Sequence, residues 1–109
     1  MKILVAGDFC PIDRVAKLVE TGDFESIFNQ VRDVINESDY SIVNFECPIV
    51  IGDAKPIHKI GPNLKSSEKG MEALKWTGFK CVSLANNHFY EFGDKGVADT
   101  LRESKEMGI

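Results

Sequence analysis

Three unbroken apolar runs punctuate the chain: Ile3 to Ala6, Tyr40 to Phe45, and Cys81 to Ala85. They are short, rich in β-branched or large side chains, and lack clean alternation with polar residues. That pattern predicts strands covered on both faces, as in a parallel sheet. Between them the spacing turns helical. Phe24, Ile27, Phe28, Val31, Val34 and Ile35 recur at three- and four-residue steps, giving one apolar stripe, with Asp23 placed to cap its start. A second helix is expected from Ser66 or Ser67, with Met71 and Leu74 inward, stopping at Gly78. A third should begin near Asp94, bury Val97 and Leu101, and stop at Gly108. The order predicts an α/β fold: three β-α units with a parallel sheet. Cys47 to Lys65 is the longest irregular piece, broken by Pro48, Gly52, Pro56, Gly61 and Pro62. Loops of that length are often functional.

In open parallel sheets, ligands gather outside the carboxyl ends of the strands. The first run hands over to Gly7-Asp8, the second to Glu46-Cys47-Pro48, and the third to Asn86-Asn87-His88. One such ending is common by chance. Three in succession would put two carboxylates, carboxamides and an imidazole on a single rim. Two carboxylates brought together repel unless a cation sits between them. A divalent ion resolves the conflict and lowers the pKa of a coordinated water, giving a nucleophile near neutral pH. An asparagine oxygen adds a ligand without adding charge, and a neighbouring histidine can protonate a leaving oxygen.

Composition narrows the picture little. The 109 residues are 43% hydrophobic and 28% charged, ordinary for one small soluble domain. A net charge of −4 argues against a nucleic-acid partner, which would call for a basic face. The opening apolar run is cut off by Gly7-Asp8, too early for a signal peptide, and no run approaches a membrane span, so a cytoplasmic chain is expected. Three cysteines, Cys10, Cys47 and Cys81, have neither disulfide-like nor zinc-like spacing and read as reduced thiols.

The segments Gly7-Asp8, Asn44-Phe45-Glu46-Cys47-Pro48 and Val82-Ser83-Leu84-Ala85-Asn86-Asn87-His88, with Phe92-Gly93 and Gly96, resemble the CapA family. These are bacterial capsule synthesis proteins associated with poly-γ-glutamate, within the calcineurin-like metallophosphatase superfamily. The resemblance runs over nearly the whole chain, and Leu-Ala-Asn-Asn-His is its most specific part. It implies the N-terminal portion of a calcineurin-like α-β-β-α sandwich, residues 1–109, ending before a fourth strand. It further implies that Asp8 binds the first metal, that Glu46 binds or bridges metals, and that Asn87 is the metal-binding asparagine. His88 would assist the leaving group or orient substrate. The cofactor would be one or more divalent ions, with Mn, Fe or Zn all fitting. Cys10 stands where the superfamily pattern has a histidine, and Asn86 where many members have glycine. Further histidine ligands in such folds come from later strands.

Other residues read more simply. His58 belongs to a surface loop, and Lys59 and Lys65 to solvated surface, although either lysine could meet an anionic substrate. Cys10, Cys47 and Cys81 read as packing residues. Gly61-Pro62-Asn63-Leu64-Lys65-Ser66 lacks the glycine before lysine and the preceding strand that a phosphate loop needs. No Gly-x-Gly-x-x-Gly fingerprint is present. Two functions therefore stand: a metal-dependent hydrolase with an anionic small-molecule or polymer substrate, and a non-catalytic accessory protein that binds in capsule polymer assembly. Three strands alone would leave open sheet edges, from which self-association is expected.

Overall fold

The computed structural model describes all 109 residues, Met1 to Ile109. The elements run β1 (Ile3–Phe9), α1 (Asp13–Glu20), α2 (Glu25–Phe28), α3 (Arg32–Glu37), β2 (Tyr40–Phe45), α4 (Glu68–Thr77), β3 (Cys81–Ser83) and α5 (Gly93–Met107). The strands form one parallel sheet in the order β1-β2-β3, so the α/β architecture is as expected.

One sheet face carries Ser41, Val43 and Phe45, all buried. Against it lie Val19 of α1, Ile35 of α3 and Met71, Ala73 and Leu74 of α4, which with Phe9, Phe24 and Phe79 make the core. Phe9 and Phe45 stack at 6.2 Å on this side. Ser67 caps α4, accepting the Lys69 N–H at 3.3 Å. Gly78 ends the helix in the left-handed region at φ 108°. Any side chain there would also strike the Asn36 carboxamide, 2.4 Å from where its Cβ would sit.

The other face departs from expectation. Ile3 is 60% and Val5 75% exposed, and none of Tyr40, Ile42, Asn44, Cys81 and Ser83 on the same face is buried. These strands are covered on one side only, because every long helix contributes to the opposite layer or to its flank. As an edge strand, β1 also opens onto an apolar groove of 380 Å³ floored by Leu4 and Val5 and walled by Phe28, Val31 and Val34.

Three helix expectations also need correction. The stripe from Phe24 to Ile35 is two short helices rather than one. They part at Asn29–Val31, and Val31 and Val34 remain 47% and 57% exposed because they face the open groove. Helix α1 was not anticipated. Its apolar residues Val15, Leu18 and Val19 are few, and only Val19 is fully buried. The α5 boundaries are as expected, but its buried face is polar. Leu101 is 52% exposed and Val97 half-buried, while Gly96, Asp99, Thr100, Glu103 and Ser104 are buried. The reason is that α5 packs on backbone. Thr100 Oγ1 accepts the Ile49 N–H at 2.8 Å, Asp99 accepts the Ile51 N–H at 3.0 Å, and Gly96 lies close against Pro48. No helix is long and apolar enough to cross a membrane.

Candidate functional site

The site begins with a defect in β1. Val5 pairs with Ile42, but Asp8 pairs with Asn44, so β1 spends three steps where β2 spends two. This bulge inserts one residue and swings Asp8 onto the face of Val5 and Asn44. Regular alternation would have sent Asp8 the other way, towards the core. Asn44 then donates from Nδ2 to Asp8 Oδ1 at 2.7 Å.

From Asn44 the network crosses to the turn after β3. Asn86 donates from Nδ2 to Asn44 Oδ1 at 3.2 Å and to the Phe45 carbonyl at 3.0 Å. Its Oδ1 accepts the His88 N–H at 3.0 Å, a turn closed by the asparagine's own side chain. This fixes where the imidazole leaves the backbone. His88 Nε2 then faces Glu46 Oε1 at 3.8 Å, an ion-pair distance if the ring is protonated but longer than a hydrogen bond. Its Nδ1 contacts Glu91 Oε1.

The structure thus brings Asp8, Glu46 and His88 to the carboxyl-end rim, linked through Asn44 and Asn86. Asn87 lies exposed on the turn and takes no part in that network. The donors suit a divalent cation in kind, since Asp8, Glu46 and the asparagines offer hard oxygens. In number they are sparse, for no group of three or more His, Cys, Asp and Glu side chains is arranged to hold a metal ion.

Glu91 escaped the sequence reading. Its side chain is fully buried beside His88 Nδ1 and the Lys59 ammonium, and its Oε2 accepts the Leu64 N–H. Burial works against its charge, but Lys59, the Leu64 N–H and His88 together outweigh that, and the carboxyl lies below its ordinary value. The available signal was an acid set among Phe89, Tyr90 and Phe92, which is costly without partners. Lys59 is correspondingly not a solvated lysine, being 24% exposed and paired with that carboxylate. His58 is exposed, as expected. Burial pushes the Cys10 and Cys47 thiols up, with the nearby Glu46 carboxylate adding to the effect, which favours their protonated forms.

The chain is 32% identical over 111 residues to the capsule biosynthesis protein CapA of Bacillus anthracis, covering 100% of this chain and 27% of that protein. It is 32% identical over 108 residues to the PGA biosynthesis protein CapA of Bacillus subtilis (strain 168), covering 94% of this chain and again 27% of the relative. The chain therefore spans about a quarter of the length of these curated relatives. A calcineurin-like relationship is consistent with the match and with the parallel sheet. With residues 2–109 matching the profile described as bacterial capsule synthesis protein PGA_cap, the chain belongs to that family.

Proposed function

We propose that this chain forms part of a metal-dependent hydrolase of the phosphoesterase type, working in capsule or poly-γ-glutamate synthesis. The observation that carries the reading is the hydrogen-bonded run from Asp8 through Asn44 and Asn86 to the His88 N–H, with His88 Nε2 facing Glu46 at 3.8 Å, built where the three strands end. Asp8, Glu46 and Asn87 would hold the cation, and at least one further donor would come from the part of the family's length that this chain does not span. When bound, the cation supplies a water acidified enough to attack at neutral pH.

The chain's own residues do the rest. Asp8 and Glu46 supply negative charge, and Asn44 fixes the Asp8 carboxylate so that one oxygen is occupied and the other is free. Asn86 aims His88. The ring's Nε2 faces the rim, where in the imidazolium form, with Nδ1–H still on Glu91, it gives a proton to the departing oxygen of an anionic small-molecule or polymer substrate. General acid catalysis of this kind contributes about 10²–10⁴-fold. The test is metal content and phosphodiesterase turnover of a protein carrying the full family length, then of Asp8→Ala and His88→Ala. His88→Ala should lose about 10²-fold or more with metal retained, and Asp8→Ala should lose metal as well. Undiminished turnover in both variants would overturn the reading.

The sparse donor set favours one alternative, an accessory protein whose rim binds polymer without turning it over. Polymer capture that survives chelation, together with no turnover under any divalent ion, would select it.

A further inference from the structure

Residues 52–63 are almost without internal structure, and all but Ala54 are exposed as whole residues, although the Lys59 side chain itself is only 24% exposed. Their polar attachments are few and converge on one place. The Ile57 N–H donates to the Glu91 carbonyl at 2.8 Å, and the Lys59 ammonium pairs with Glu91 Oε1. At the loop's far end the Leu64 N–H donates to Glu91 Oε2. No other hydrogen bond or ion pair ties residues 52–63 to the protein. The same Oε1 atom contacts His88 Nδ1.

We propose that Glu91 is a positioning residue that couples the 52–63 loop to His88, fixing the imidazole's tautomer and docking the loop through one carboxylate. An ionised carboxylate only accepts hydrogen bonds, so the ring nitrogen facing it must carry the hydrogen. In the neutral ring that leaves Nε2 as a lone pair directed at Glu46 and the rim. The loop and the histidine therefore share an anchor. Releasing either one removes a partner from a fully buried group, and the other loosens in turn.

The inference rests on the hydrolase reading only for its use, not for its test. Both readouts are made on the metal-free 109-residue chain. The first is the tautomer of each histidine from ring ¹⁵N shifts, with exposed His58 as internal reference. His88 should carry hydrogen on Nδ1 in the unmodified chain. The second is amide exchange in Glu91→Met, which keeps bulk but offers no acceptor. Leu64 should exchange about tenfold faster or more, as expected for loss of a hydrogen bond to a charged group, and His88 should gain the Nε2–H form. Lys59→Met should loosen the loop while leaving the His88 tautomer on Nδ1. A neutral His88 ring carrying its hydrogen on Nε2 in the unmodified chain overturns the proposal, even if Glu91→Met fails to fold. Unchanged Leu64 exchange in a folded Glu91→Met overturns it as well. Absence of hydrolysis would defeat the functional reading and leave these two measurements untouched.

Discussion

Two buried carboxylates hold the two ends of the same irregular segment, and they do it with different company. Asp99 on α5 accepts the Ile51 N–H at 3.0 Å, Lys95 Nζ at 2.7 Å and Arg102 Nη2 at 2.9 Å. Glu91 takes the Leu64 N–H, the Lys59 ammonium and His88. For both, burial alone would raise the pKa, and three donors reverse the shift. The cations of Asp99 sit on its own helix, one turn away, and are 43% and 48% exposed. The partners of Glu91 come instead from the loop, through Lys59 and the Leu64 N–H, and from the histidine on the rim. Burial and a depressed pKa are thus shared by a structural clamp and a candidate site residue. The partners tell them apart.

The sharpest way to break this comparison is to truncate each acid. Glu91→Ala leaves Lys59, only 24% exposed, without its counter-charge, and strands the Leu64 N–H. Removing one member of a buried pair costs about 3–5 kcal/mol. Asp99→Ala strands the Ile51 N–H, but Lys95 and Arg102 can turn to water, so the loss should be smaller, roughly 2–3 kcal/mol. Urea unfolding of the two variants measures both. An equal or reversed order would show that partner exposure does not set the cost.

Acid titration sharpens the same contrast. Asp99 is held at about 2, below its unfolded value near 3.9. A depressed folded pKa stabilises above the unfolded pKa and is lost as pH falls through the folded one. The contribution is therefore whole above about pH 5 and declines between about pH 4 and pH 2. It should amount to about 1–2 kcal/mol, towards the low end because its cations are at the surface and salt screens them. Asp99→Asn should flatten that part of the stability curve. An unchanged slope between about pH 4 and pH 2 would mean that Asp99 titrates alike folded and unfolded.

How much of this was written in the sequence depends on range. The three strands, the Ser67 cap and the glycine stops at Gly78 and Gly108 are local signals, each set by a few neighbouring residues, and they were legible. That Asp8, Glu46 and His88 share a rim followed from strand endings alone. The bulge that turns Asp8 to that face was not, because it is visible only in the pairing of β1 with β2. The sequence marks Asn86 as one of the rim's carboxamides and Asn44 only as part of a motif, and their joining role depends on distances between strands. Glu91 was missed for a related reason. Its partners Lys59 and Leu64 lie 32 and 27 positions away, so no window on the sequence contains the cluster. The polar inner face of α5 misled by its period, since Val97 and Leu101 have helical spacing while the residues that meet the 49–51 backbone are threonine and aspartate.

The smallest expected effect separates a clamp from its ornaments. Lys95 and Arg102 both meet Asp99, but each is close to half exposed and sits one turn away on the same helix. Pairs of this kind contribute about 0.3–0.5 kcal/mol, since the Coulomb gain in water barely exceeds the cost of holding two side chains still. Lys95→Met should therefore lower stability by about 0.5 kcal/mol or less, with the difference vanishing in molar salt. The Ile51 N–H and the Arg102 guanidinium would still hold Asp99 charged. Lys59→Met, the matching change on the other acid, should cost several times more and keep most of its effect in salt, because Glu91 has no solvent to replace the lost cation. Equal salt sensitivity in the two variants would place both acids in the same dielectric, and the distinction between clamp and site would lose its physical basis.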